Sequence, residues 1–258
     1  MSLPKTGAPA LLPQPGRPPD LDRLEDDDPL AGYWTFYRAV ATAQLARWLP
    51  RRSSMILDLS GGSSAQQAAA AGHHVVEVVE SPRTGDHQQI VGDPSRLEFL
   101  IDGSMDAVIA EDGVLSRCLA TEETVEEISR VLRPGGRVLL CVDSLTLGLA
   151  VLAEQNLWPH LSDVPKAEVV LVPWPDGTIT RCFWQAQVRE LLHDVGLEIE
   201  WIRPRTVVSP STADHVLAKD PKALSRLVRT ELQTPYDCRV EDESLGIHLL
   251  ASAIKKPF

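Results

Sequence analysis

The stretch of this chain best equipped for chemistry is Asp58-Leu59-Ser60-Gly61-Gly62-Ser63-Ser64, which closes the apolar run Met55-Ile56-Leu57. Small residues at a turn let the backbone approach a ligand closely, and a helix starting after the turn offers free N–H groups. A second acid, Glu80, stands 22 residues after Asp58, at the end of the next apolar run. That is about the separation at which a carboxylate reaches the hydroxyls of a bound ribose. Two more acidic turns end later apolar runs. One is Gly92-Asp93-Pro94 after Ile90-Val91, and the other is Glu111-Asp112 after Asp106–Ala110. Each acid also has a plainer role open to it. Asp58 can cap its turn, Glu80 can be solvated, Asp93-Pro94 is a common turn pair, and Glu111-Asp112 suits the start of a helix.

Other polar residues carry less signal. His160, His215 and Tyr236 lie outside the regular part of the chain and are candidate bases, although a lone histidine is usually just exposed. His193 sits in a helical stretch and reads as structural. His73-His74 precede a strand with no carboxylate at ligand spacing, so no metal site is expected. Cys118, Cys141, Cys182 and Cys238 are far apart and form no C-x-x-C. They read as reduced thiols of a cytoplasmic protein.

The elements that must position these turns follow from periodicity. Tyr33–Leu49 repeats its apolar residues at helical spacing and is closed by Pro50. Strands are expected at 55–59, 75–79, 90–91, 106–110 and 137–143, with helices after the first and over Glu122–Leu132, the latter broken by Arg133-Pro134-Gly135-Gly136. Ser81–Gly85 reads as a loop. Later come a helical piece (145–157), a strand-like piece (168–173), a helix (185–195), a strand (197–202), a helix (221–232) and a last strand (247–254). Strands alternating with helices, many of them apolar on both faces, give an α/β fold. A doubly wound, mostly parallel sheet is expected. Residues 1–32 are rich in proline, end in acidic residues and read as a disordered arm. Residues 33–258 form the domain, with insertions at about 144–184 and 205–245.

Composition narrows the partners. The 258 residues carry a formal charge of −11 with no Lys/Arg run, which disfavours nucleic acid and anionic membranes. No stretch is long and apolar enough to span a bilayer, and no signal peptide is read at the start. Trp158, Trp174, Phe183 and Trp184 lie in the first insertion. With Trp34 and Tyr37 they suit either core packing or the wall of a pocket for an apolar or aromatic small molecule. The sequence sets no oligomeric state.

From residue 34 onward the order of segments resembles the class I S-adenosylmethionine-dependent methyltransferases. ILDLSGGSS stands at the family's glycine-rich first motif, HHVVEVVESP at its second strand and acidic turn, IVGDPSRL at its third turn, and MDAVIAEDGVLSR at its fourth strand. EISRVLRPGGRVLLCVDS, then QVRELLHDVGLEIEWIRP and GIHLLASAIKKP, resemble the remaining helices and strands. The resemblance implies a seven-stranded sheet with an antiparallel last strand, and S-adenosylmethionine as cofactor. By the same resemblance Asp58, Ser60, Gly61 and Gly62 hold the cofactor's amino-acid end, Glu80 the ribose, and Asp93 with Pro94 the adenine side. Glu111 and Asp112 then face the sulfonium or the acceptor. The implied activity is in-line methyl transfer to a small-molecule acceptor, with a base needed only if that acceptor must lose a proton. Ser60 and Ser64 replace family glycines, and the stretch from 80 to 90 is too short for the usual crossover helix. Those departures motivate a second reading: a non-catalytic relative that kept the fold and acts as a partner or ligand-binding subunit.

Overall fold

The computed structural model describes residues 30–82, 84–118, 120–164, 167–174, 177–234 and 246–256. Residues 1–29, Tyr236 and Cys238 lie outside them.

The apolar runs become strands because alternate residues find cover on opposite faces. β1 (Met55–Asp58) sends Ile56 one way and Leu57 the other. Ile56 joins Leu45 and Trp48 of α1 (Ala31–Trp48) and Ala65 and Ala68 of α2 (Ser64–Ala70). Leu57 joins the opposite layer, which holds Val125, Ile128 and Val131 of α4 (Thr121–Val131) and Val188 and Leu192 of α7 (Gln185–Asp194). β2 (His74–Val79), β4 (Met105–Ala110) and β5 (Leu132–Asp143) divide their side chains between the same two layers.

These strands pair with β3 (Gln88–Val91), β8 (Leu197–Pro204) and β9 (His248–Lys255) in one seven-stranded sheet of order β3-β2-β1-β4-β5-β9-β8. The pairs from β3 through β5 are parallel, and β9 runs antiparallel between β5 and β8. Strand order reverses between β1 and β4, which is the switch point where such sheets bind ligands.

Two local differences from the sequence expectation have physical causes. Arg133–Gly136 does end α4, but the strand has already begun. Leu132 pairs with Met105 and Arg137 with Ala107, so these four residues form a bulge around Gly135 at φ 78°. The 145–157 helical piece also ends early, as α5 (Leu145–Glu154), where Asn156 takes a left-handed φ of 58°, and a further helix, α6 (Trp158–Asp163), follows it.

Between β2 and β3 the described residues form no helix. His87 instead folds over β2, its Nε2 2.8 Å from Glu77 Oε2, while Gln89 Nε2 donates to the same oxygen at 3.1 Å. Beside this loop a cleft of about 690 Å3 opens along α2 and the start of β2.

The carboxyl edge of the sheet carries two additions. β6 (Val170–Pro173) and β7 (Ile179–Cys182) form a hairpin that packs with α5. It is fastened to the end of β5 through Phe183, which exchanges backbone bonds with Asp143 and Leu145. α8 (Pro210–Lys219) and α9 (Leu224–Gln233) cover the start of α1, around Tyr33, Trp34 and Tyr37.

Candidate active site

The first turn folds around Asp58, which is fully buried. Its Oδ1 accepts the Ser60 N–H at 2.7 Å, and the Ser64 hydroxyl lies beside the carboxyl. Burial pushes this carboxyl up to about 7, against the opposing influence of the nearby Ser64 and Ser60 groups and reinforced by the negative Asp112. The carboxyl therefore ionises near neutrality and gains from any cation placed beside it.

Gly61 takes φ 65°, a conformation that suits glycine. Gly62 is exposed, and a Cβ there would lie 2.0 Å from Asp112 Oδ2. The Asp112 carboxylate thus lies against the bare glycine face. Asp112 itself has a left-handed φ of 53°, and its carbonyl accepts from Nη1 of Arg117, at the end of the short helix α3 (Val114–Arg117).

Ser60, one of the two serines in glycine positions, has a definite task. Its Oγ accepts the Glu111 N–H at 2.8 Å, which ties the end of β1 to the end of β4. The hydroxyl is spent on the neighbouring strand. Ser64 is buried at the first turn of α2.

Glu111 and Asp112 part company. The Glu111 side chain turns into the core, where Oε1 meets Arg205 Nη2 at 2.8 Å. Arg205 is 2% exposed and exchanges two bonds with Gln44 of α1, Nη1 to Oε1 at 3.0 Å and Gln44 Nε2 to its own carbonyl at 3.0 Å. Burial would lower the guanidinium's affinity for its proton, but Glu111 reverses that and holds it well above its ordinary value. Nothing local in the sequence marks Arg205 or Gln44 as partners of Glu111, since they arrive from β8's end and α1.

Glu80 is exposed at the end of β2. Asp93 is exposed after β3, and its Oδ1 accepts Ser95 N–H at 2.9 Å and Ser95 Oγ at 2.8 Å. Those bonds lower its pKa below the usual range. Pro94 is half-buried beside it. Both acids stand on the same sheet edge as Asp58, on the β2–β3 side of it.

On the β5 side lies a second polar group that the sequence did not single out. Asp143 and His248 are register partners on β5 and β9, with Nε2 and Oδ1 3.6 Å apart and both side chains buried. Burial pushes Asp143 up to about 7, opposed by Arg117 and the Thr180 hydroxyl. The ring of Tyr37 meets His248 edge-on at 5.2 Å. Their separation in sequence hides the pair, and only the antiparallel return of β9 brings it together.

The remaining candidates sit elsewhere. His160 and His215 are exposed on α6 and α8, and His193 is exposed on α7. Among the aromatic residues, Trp34, Tyr37, Trp174 and Phe183 are buried in packing, Trp184 is half-buried and Trp158 is 55% exposed. Among the described residues no group of three or more potential ligands could hold a metal ion, and no helix is long and apolar enough to cross a membrane.

The sheet order, the inserted antiparallel strand and the acidic first turn define the class I methyltransferase fold. Residues 39–140 match the family described as "Methyltransferase domain". No curated protein matches it in sequence. Solved structures share the fold. One is the Burkholderia thailandensis 1,6-didemethyltoxoflavin-N1-methyltransferase bound to 1,6-didemethyltoxoflavin and S-adenosylhomocysteine, 17% identical, covering 87% of this chain and 81% of that one, TM-score 0.53. Another is an S-adenosylmethionine-dependent methyltransferase of Methanosarcina mazei, 18% identical, covering 83% and 98%, TM-score 0.54. The [4+2]-cyclase SpnF is also similar, 16% identical, covering 85% and 81%, TM-score 0.51. A shared fold with such different chemistry means that the reaction must be argued from the site.

Proposed function

We propose that the protein is an S-adenosylmethionine-dependent methyltransferase that acts on a small-molecule acceptor. One observation carries this reading: a glycine shelf at Gly61–Gly62 that lies between two carboxylates, Asp112 against its Gly62 face and the buried Asp58, which accepts the Ser60 N–H at its start. Such a shelf fits a ligand with a slender cationic chain, because backbone can be approached closely and negative charge is available on both sides. Glu80 and Asp93, on the same edge, offer acceptors for a ribose diol and an adenine amino group. When bound, S-adenosylmethionine supplies a methyl group on positively charged sulfur, already activated for transfer.

The chain's own part is then mostly alignment, which supplies up to roughly 7–11 kcal/mol in favourable cases. Asp58 and the Gly61–Gly62 backbone hold the amino-acid end. Ser60 ties the end of β1 to the end of β4. The hairpin β6–β7 and helices α8 and α9 enclose the acceptor side and exclude water. A small acceptor is supported by the charge of −11, which opposes phosphate backbones, and by the apolar additions at this edge. The Burkholderia structure holds 1,6-didemethyltoxoflavin on the same fold. The same reading makes this a cytoplasmic enzyme, with the thiols of Cys118, Cys141 and Cys182 free.

The test is methyl transfer from labelled S-adenosylmethionine to a panel of small heteroaromatic, phenolic and amine acceptors, with DNA and RNA as controls. Transfer to at least one small molecule and none to nucleic acid is expected. Tight cofactor binding with transfer only to nucleic acid would overturn the acceptor class, and absence of cofactor binding would leave the non-catalytic reading in its place.

A further inference from the structure

The cleft beside the β2–β3 loop lies at the opposite edge of the sheet from the glycine turn, since Met55 opens β1 and Asp58 closes it. Met55 borders it, together with Ala69 and Ala70 of α2, the start of β2, and the loop that carries Gly85 and His87. A crossover between parallel strands usually lays a helix on the sheet. Here the described residues between β2 and β3 form none, and the cleft is the space left between their loop and α2.

Two histidines line this space, His73 and His87, and each has a buried Nδ1 with no hydrogen-bond partner. The His87 side chain is 6% exposed, and its Nε2 stands 2.8 Å from Glu77 Oε2. An ionised carboxylate only accepts, so Nε2 holds a proton and Nδ1 of the neutral ring is left with its lone pair. Gly85 puts no side chain over that nitrogen, since a Cβ there would stand 3.2 Å from it. His73 is 8% exposed, and burial lowers its pKa, which keeps its ring neutral. A buried acceptor without a donor costs free energy that the N–H of a ligand recovers.

Charge sets the class of that ligand. Among the described residues no lysine or arginine lines the cleft, Asp86 stands exposed at it, and Glu77 backs the His87 ring. A carboxylate behind an imidazole raises the basicity of its far nitrogen. A bare metal ion does not fit, because no group of three or more potential ligands among the described residues could hold one. The cation must bring its own N–H donors, and Met55 with the two alanines offers apolar surface to the methylenes between them. A volume of about 690 Å3 is of small-molecule size. We propose that this cleft is a second binding site, for a linear organic ammonium ion of the diamine or polyamine class, with His73 and His87 accepting its N–H groups. The site stands apart from the methyl-transfer reading and does not depend on it.

Calorimetric titration of the full chain with spermidine, at about 0.15 M salt to screen the acidic surface, tests the site. The wild type should bind one equivalent. His73→Phe and His87→Phe, which leave the charge of the neutral rings unchanged, should each weaken binding by about tenfold. Ala70→Leu fills the cleft from the exposed end of α2 and keeps both rings. It should weaken spermidine to a similar extent, and it decides the matter if the loss of the His87–Glu77 contact unfolds the chain. Putrescine should bind and butanediol, its uncharged counterpart, should not. Saturation with S-adenosylmethionine should leave spermidine binding unchanged. Several weak equivalents that persist in all three variants would reduce the effect to attraction by the acidic surface and overturn the site. Competition with S-adenosylmethionine, equal binding of butanediol, or no heat at about 1 mM spermidine would overturn it as well.

Discussion

Asp58 and Asp143 are buried acids whose carboxyls ionise near pH 7 in the fold, against about 3.9 in an unfolded chain. Because the folded values are raised, the folded state binds extra protons between those limits. Their stabilising contribution is complete below about pH 4 and is lost as pH rises through 7. Asp93, Glu122 and Glu127 are shifted downward by their bonding partners and act in the opposite sense, below about pH 4.5. The ligand-free protein should therefore melt at its highest temperature near pH 5 and lose roughly 5 °C or more by pH 8. Asp58→Asn should flatten that slope, and thermal melts across the range would show it. A slope unchanged in both Asp58→Asn and Asp143→Asn would contradict the assignment. At Gly62 the expectation differs in kind. Gly62→Ala places a methyl against the movable end of Asp112, not against backbone. Stability should change by less than about 1 kcal/mol, while cofactor affinity falls by about tenfold or more. Equal cofactor affinity in the alanine variant would remove the argument that this face must stay bare.

The elements are joined at the site by one buried network. Arg205 brings the end of β8, Glu111 the end of β4 and Gln44 the middle of α1, while Ser60 adds β1 through the Glu111 N–H. Removing one member of a buried ion pair typically costs about 3–5 kcal/mol, because the other charge is stranded. Arg205→Met should accordingly lower the melting temperature by about 10 °C, and adding Glu111→Met should restore more than half of it. A double variant as unstable as the single one would show that the ion pair is not the source of the loss. None of this network was legible in the sequence, because residues 44, 60, 111 and 205 follow no local pattern. The sheet strands were legible for the opposite reason: Met55–Asp58, Met105–Ala110 and Arg137–Asp143 are short apolar runs bounded by turn residues, and burial on both faces needs little else. α8 was missed although Ser209 caps it and Pro210 starts it. Its sequence, PSTADHVLAK, buries only Ala213 and Leu217, which leaves too faint a periodicity to read. β7 was missed because four residues with one arginine carry almost no pattern. The first turn was legible as a ligand site, but the use of its serine was not, since Ser60 meets its partner only across the sheet.

At the scale of the whole molecule, the charge of −11 surrounds a site that is itself acidic. A cationic ligand should therefore bind more weakly as salt rises, and more so for S-adenosylmethionine than for S-adenosylhomocysteine. A salt dependence identical for the two would argue that the field of the protein does not reach the sulfur. The architecture also explains how a shortened second crossover is tolerated. Glu77, left without a covering helix, is satisfied by His87 and Gln89, and the sheet keeps its order through β3. What the account requires above all is that this edge accept the nucleoside sulfonium. The most direct measurement is calorimetric titration of the full chain with S-adenosylmethionine at pH 7.5 and low salt. One-to-one binding with a dissociation constant of about 1–100 μM is the expected result. No heat and no rise in melting temperature at about 1 mM ligand, a concentration at the top of the usual enzyme range, would contradict it.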